Sequence, residues 1–133
     1  MSVGLTELIK ERLVLVADDD EDILLLVTTR LRRDGFDIIS ARSGDEALAL
    51  VRERRPALAV LDIGMPGLDG VQVLERIRAD DDLRAMLVVL LTAKAQESDV
   101  RRGFDAGADA YVKKPFSPAD LSARVRELLD SGG

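Results

Sequence analysis

The chain has 133 residues, with 19 lysines and arginines against 25 aspartates and glutamates, for a formal net charge of −6. That length suits one domain with a proper core, and the acidic balance argues against direct nucleic-acid binding by this chain. Cysteine, histidine and tryptophan are absent and aromatics make up 3%, which excludes disulfides, thiolate or imidazole chemistry and aromatic base-stacking platforms.

Residues 1–10 precede any repeating pattern and are expected to be an N-terminal extension or linker, with Leu5, Leu8 and Ile9 able to form one helical turn. From residue 11 to residue 130 two patterns alternate. An aliphatic run at 13–17 is followed by Ile23, Val27 and Leu31 at helical spacing. The run at 36–40 is followed by Ala47, Leu50 and Val51, and the run at 57–61 by Val71, Leu74 and Ile77. The runs at 86–91 and 109–112 precede Val100 with Phe104, and Leu121 with Val125 and Leu128. Punctuation agrees: Gly35 follows the first helix, Asp80, Asp81 and Asp82 break the third, Gly107 suits a left-handed cap, and Ser117-Pro118 opens the last helix. Residues 131–133 are expected to be a flexible end.

Five βα units make a parallel sheet with helices on both faces. The expected fold class is α/β, a doubly wound five-stranded parallel sheet of flavodoxin-like order 2-1-3-4-5. Ligands in such sheets bind beyond the carboxyl ends of the strands, where strand order reverses. The longest apolar run, 86–91, is strand-sized, and there is no signal-peptide pattern. The reading is a cytoplasmic domain with no membrane partner.

Polar residues gather at one end of this sheet. Asp18, Asp19 and Asp20 follow the first run, Asp62 the third, Thr92 the fourth, and Lys114-Pro115 the fifth. Taken singly, each has a bland explanation. Asp20 and Asp22 read as helix-start residues, Asp69-Gly70 as a helix entry, and Asp80, Asp81 and Asp82 as a solvated loop. The combination differs, because order 2-1-3-4-5 makes the first and third strands neighbours and brings Asp18, Asp19 and Asp62 together. Carboxylates that close need a cation, and without histidine or cysteine the hard ion Mg²⁺ fits best. A metal beside a carboxylate nucleophile suggests phosphoryl transfer to Asp62, with Lys114 and the Thr92 hydroxyl neutralising other phosphoryl oxygens.

Four segments carry a family resemblance: Leu15-Val16-Ala17-Asp18-Asp19; Leu61-Asp62-Ile63-Gly64-Met65-Pro66-Gly67-Leu68-Asp69-Gly70; Leu90-Leu91-Thr92-Ala93-Lys94; and Ala106-Gly107-Ala108-Asp109-Ala110-Tyr111-Val112-Lys113-Lys114-Pro115-Phe116. In this order and spacing they resemble the receiver domain of bacterial two-component response regulators, over about residues 12–129. The resemblance implies that Asp62 is the phosphoacceptor and that Asp18 and Asp19 hold Mg²⁺, with the Gly64 carbonyl completing the metal site. It further implies Thr92 and Tyr111 as a switch pair, Lys114 as the partner of the phosphoryl group, and a cis Lys114–Pro115 bond. Gly64 and Lys94 fall where relatives tune dephosphorylation. Implied partners are a histidine kinase or histidine phosphotransfer protein and a downstream effector domain or protein. The segment from Phe116 to Val125 resembles receivers that precede winged-helix domains. A homodimer through the fourth helix, fifth strand and fifth helix is therefore expected, with Asp109, Arg101, Arg102 and Arg124 as candidate charges and Ala110 replacing a common acidic residue. On this reading the domain is not an enzyme, since it catalyses only its own phosphorylation and dephosphorylation.

Other classes fit less well. An aspartyl phosphatase would place its nucleophile after the first strand. A silent docking module would lack the aspartate or lysine. A nucleotide or flavin binder would carry a glycine-rich loop where three aspartates stand here.

Overall fold

The computed structural model describes residues 12–93 and 97–132. The elements are β1 (Leu13–Ala17), α1 (Glu21–Arg33), β2 (Asp37–Ala41), α2 (Gly44–Arg54), β3 (Leu58–Asp62), α3 (Gly70–Ala79), β4 (Leu87–Thr92), α4 (Glu97–Asp105), β5 (Ala110–Lys113) and α5 (Pro118–Gly132). The strands form one parallel sheet in the order β2-β1-β3-β4-β5. The expected fold is therefore the observed one.

The aliphatic strands are explained by burial on both faces. Leu15, Ala17, Ala59, Leu61, Val88 and Leu90 meet α2 and α3 through Val51, Leu74 and Ile77. Val14, Val16, Val60, Val89 and Leu91 meet α1 and α5 through Val27, Leu31, Leu121 and Val125 on the opposite face. Each such leucine or valine contributes roughly 1.5–3 kcal/mol through its burial. No helix among the described residues is long and apolar enough to cross a membrane.

Strands β2 to β5 begin one residue later than the aliphatic runs suggest. The apolar residue before the strand can close the preceding turn instead: Phe36 N–H donates to Leu31 O (3.0 Å) and Met86 N–H to Leu83 O (2.9 Å). The consequence for the site is direct. Asp62 and Thr92 are the last residues of β3 and β4 rather than the first of loops, so the sheet ladder fixes their backbones.

Helix starts follow the expected chemistry. Asp20 caps α1 by accepting from Asp22 N (2.9 Å) and Ile23 N (3.2 Å), and Asp69 forms a reciprocal capping box with Gln72. Ser117 accepts from Asp120 N at the start of α5 (3.3 Å). Gly107 has φ +97, the left-handed turn its position suggested, whereas α2 ends on a non-glycine left-handed residue, Arg55 (φ 47), just before Pro56.

Two expectations need revision. Ser131 and Gly132, assigned to a flexible end, complete α5, with Ser131 Oγ donating to Glu127 O (2.8 Å). Phe104, paired with Val100 as a core contact of α4, is instead 55% exposed. Over residues 100–105 of that helix the buried position is Gly103. The N-terminal extension 1–10 and Lys94 lie outside the described residues, as does Gly133.

Candidate functional site

The carboxyl ends of β1 and β3 are adjacent in the sheet, and this adjacency builds the site. Asp18, Asp19 and Asp62 each offer a carboxylate oxygen within 4.8 Å of the others, Asp18 and Asp62 buried and Asp19 exposed. Lys114, one residue beyond β5, reaches across the end of the sheet to both buried carboxylates. Its Nζ lies 3.0 Å from Asp18 Oδ2 and 3.3 Å from Asp62 Oδ1. The Lys114–Pro115 peptide bond is cis.

Backbone donors hold the carboxylates in place. Asp20 N–H donates to Asp18 Oδ1 (2.9 Å), and Gly64 N–H donates to Asp62 Oδ1 (3.3 Å). Asp18 Oδ2 is fully buried and accepts no hydrogen bond of sound geometry. The Lys114 ammonium approaches it closely, but off the hydrogen-bonding direction. An orphaned buried carboxylate oxygen is costly unless something else fills its coordination.

The electrostatics are frustrated. Burial first, and the nearby Asp18 charge second, push the Asp62 carboxyl from its ordinary 3.8 up to about 6, against the opposing pull of Lys114 and the Gly64 amide. Burial alone would lower the Lys114 ammonium. The contact with Asp18 and the negative charges of Asp62 and Asp18 outweigh it, and the result is raised. With all groups ionised, three carboxylates and one ammonium leave two negative charges in excess. That excess, the oxygen-only donor set and the orphaned Asp18 oxygen together fit a hard divalent cation.

The remaining expected residues surround this cluster. Thr92 is buried at the end of β4, and Lys114 N–H donates to its carbonyl (2.7 Å). Tyr111 is not in the cluster. It lies on β5 beside Leu90, against Phe104 of α4, with ring centroids 4.9 Å apart. Of the charges assigned to a dimer face, Asp109 is spent within the chain, accepting from Arg78 Nη2 (3.0 Å) and Val88 N (2.7 Å). Arg102 pairs with Asp69 (3.0 Å) and Arg124 with Glu127 (3.2 Å).

The sequence reading overlooked what steadies the loop after Asp62. Gly70 opens α3 so close to the end of β3 that a Cβ would fall 2.6 Å from Asp62 O, and one on Gly44 would fall 1.8 Å from Leu68 O. Gly44 N–H also donates to Pro66 O (3.3 Å). A signal was available: glycine is a poor helix former, yet both residues occupy the first position of a helix. The Gly64 amide bond to Asp62 carries no such mark in the sequence.

An acidic oxygen-ligand cluster and a lysine at the switch point of a doubly wound sheet define an α/β domain equipped for a divalent cation and an anionic group. The response regulator receiver domain model matches residues 14–126, and the chain belongs to that family, the signalling domains of two-component regulation. The DNA-binding response regulator MtrA of Mycolicibacterium smegmatis is 45% identical over 116 residues, which cover 87% of this chain and 50% of that protein. The alkaline phosphatase synthesis transcriptional regulatory protein PhoP of Bacillus subtilis is 42% identical over 116 residues, 87% of this chain and 48% of that protein. The chain thus spans about half the length of the curated relatives it matches. Among solved structures, a CheY-like receiver domain protein of Methanospirillum hungatei superposes with a TM-score of 0.85 at 30% identity, covering 91% of this chain and 95% of that one.

Proposed function

We propose that Asp62 accepts a phosphoryl group from a partner's phosphohistidine and that the modified site shifts Thr92 and Tyr111 to control an output. The observation that carries this reading is the bridging of Asp18 and Asp62 by Lys114 within a cluster that bears two excess negative charges. Asp18, Asp19 and Asp62, with the Gly64 carbonyl, would hold Mg²⁺. Bound there, the ion supplies charge neutralisation for the carboxylates and the phosphoryl oxygens.

The chain's own groups do the rest. Gly64 N–H orients the Asp62 carboxylate, whose free oxygen attacks phosphorus as the P–N bond to the donor imidazole breaks. Lys114 shifts from a carboxylate partner to a phosphoryl oxygen, and the Thr92 hydroxyl donates to another. The acyl phosphate replaces one negative charge with about two, enough to bias a two-state element nearby. The domain is thereby its own catalyst of phosphorylation and dephosphorylation rather than a turnover enzyme.

These 133 residues contain no histidine, so the donor imidazole lies outside them, and in this reading a histidine kinase or histidine phosphotransfer protein supplies it. A groove of about 390 Å³ lined by Ile23, Leu26 and Val27 of α1 and by Pro115, Phe116 and Pro118 opens against Lys114. A partner helix seated there would stand next to the acceptor. The half-length match to transcriptional regulators supports an effector such as a DNA-binding domain as output and, with it, a cytoplasmic setting; a dimer through α4, β5 and α5 is the means of control in this reading.

The test is intact-mass measurement after incubation with acetyl phosphate, with and without Mg²⁺, for wild type and Asp62→Asn. A gain of about 80 Da, one HPO₃ unit, that requires Mg²⁺ and is absent from Asp62→Asn is expected. An adduct that persists in the variant would refute Asp62 as acceptor.

A further inference from the structure

Tyr111 is the one tyrosine of a chain without tryptophan, and it lies against two neighbouring residues of α4. Phe104 stacks on the ring at 4.9 Å, with the planes 47° apart. At Gly103, which is buried, a Cβ would fall 1.6 Å from Tyr111 Oη, 2.5 Å from Tyr111 Cζ and 2.7 Å from Leu90 Cδ1. The hydroxyl end of Tyr111 thus occupies the space that any side chain at position 103 would take.

A conformational reason for this glycine is lacking. The positive-φ glycines are Gly35, Gly67 and Gly107, so Gly103 holds ordinary backbone angles, within a helix where glycine is among the poorest formers. Space is what remains. The strand register sets Leu90 beside Tyr111 and Thr92 beside Lys113, so Tyr111, Leu90 and Thr92 share one face of the sheet by alternation. That face links the end of β4, at the phosphoryl site, to the slot in α4.

We propose that Gly103 is a positioning residue for the switch: the slot left by its missing side chain holds Tyr111 against the core, and a methyl group there drives the ring out. The inference rests on the reading in which Thr92 and Tyr111 move together on phosphorylation. The displaced atom is the far end of a rotatable side chain, so the helix accommodates alanine while the ring gives way. A ring barred from its slot loses the arrangement the structure shows, and the balance between the two arrangements moves with it.

The full chain as wild type, Gly103→Ala, Tyr111→Ala and the double variant tests this in two ways. Near-UV circular dichroism in the tyrosine band reads the ring directly, and calorimetric titration with beryllofluoride and Mg²⁺ reads the switch. Gly103→Ala is expected to weaken the tyrosine band while the far-UV spectrum stays unchanged, and to change the affinity for the phosphoryl analogue about tenfold, within the usual range of allosteric coupling. Adding Gly103→Ala to Tyr111→Ala should then change affinity less than about twofold, because the two Tyr111 atoms are gone and only the Leu90 Cδ1 methyl, the end of a rotatable side chain, is left to give way. An unchanged tyrosine band in Gly103→Ala, or an equal affinity change in both backgrounds, would overturn the slot. Should Gly103→Ala alone fail to fold, recovery in the double variant supports the clash and continued failure refutes it. Wild-type affinity in Tyr111→Ala would instead sink the switch reading, while the tyrosine band still decides the slot.

Discussion

The buried Asp62 carboxyl makes the stability of the metal-free protein depend on pH in a direction opposite to that of most native carboxylates. Asp62 has an ordinary value of 3.8 in the unfolded chain and about 6 in the folded one. Between those limits the native state holds more protons than the unfolded state, so stability falls as pH rises through the window and stays low above it. At 1.36 kcal/mol per pH unit the difference amounts to about 3 kcal/mol, a large part of the 5–15 kcal/mol typical of a domain. Asp62→Asn removes the charge while Asp18 keeps Lys114 as its partner (3.0 Å). Urea unfolding in EDTA, followed by far-UV circular dichroism, should therefore find Asp62→Asn more stable than wild type by about 2–3 kcal/mol at pH 8. The gap should close towards pH 4. Taking the difference between the two proteins cancels the other titrating groups. A gap that is absent at pH 8, or that does not change with pH, would refute the claim that burial and Asp18 strain this carboxylate.

Three further outcomes follow from the same geometry. Asp19→Asn removes the exposed carboxylate of the cluster and should weaken Mg²⁺ at least tenfold by calorimetry, while the unfolding free energy from urea titration in EDTA changes by less than about 0.5 kcal/mol. Lys114→Ala leaves two buried carboxylates without their cation and should cost about 3 kcal/mol at pH 8 in EDTA. Added Mg²⁺ should recover part of that loss, and no recovery would count against a cation site. Leu26→Glu charges the groove beside Lys114 at a residue already 59% exposed. It should slow transfer from a phosphohistidine protein about tenfold, the worth of one buried leucine contact, and leave phosphorylation by acetyl phosphate unchanged. Equal slowing with both donors would place the fault in the site rather than in docking.

Much of this was legible because the relevant signals are local. Aliphatic runs of strand length, separated by helical spacing and capped by Asp20, Asp69 and Ser117, are written residue by residue, and strand order then brings Asp18 and Asp62 together. What escaped depends on the third dimension. The residue preceding a strand looks the same as one within it until its N–H finds a turn partner, as Phe36 and Met86 do, and so those two runs were displaced by one. Phe104 has the right chemistry and spacing for the core. The inner position of α4 belongs to Gly103 because Tyr111 fills the space above it. Asp109 lies 3.0 Å from Arg78 and Arg102 3.0 Å from Asp69, residues 31 and 33 positions away, pairings that no local pattern announces.

The same features that cost stability give the domain its capacity to switch. A cluster with two uncompensated charges and an orphaned Asp18 oxygen is poorly satisfied by the protein alone, so whatever neutralises it gains free energy that a contented site could not offer. A change at Asp62 passes into a rigid frame. Its carbonyl lies against Gly70, its loop is held by the Gly44 contacts with Pro66 and Leu68, and β4 runs beside it to Thr92. With those neighbours fixed, the cheaper displacement lies on the α4 side, where a tyrosine ring rests in a gap made by a missing side chain rather than in a continuous strand–helix interface. In the proposed switch, a fixed frame on one side of Asp62 and a rotatable tyrosine ring on the other give a local charge change a direction.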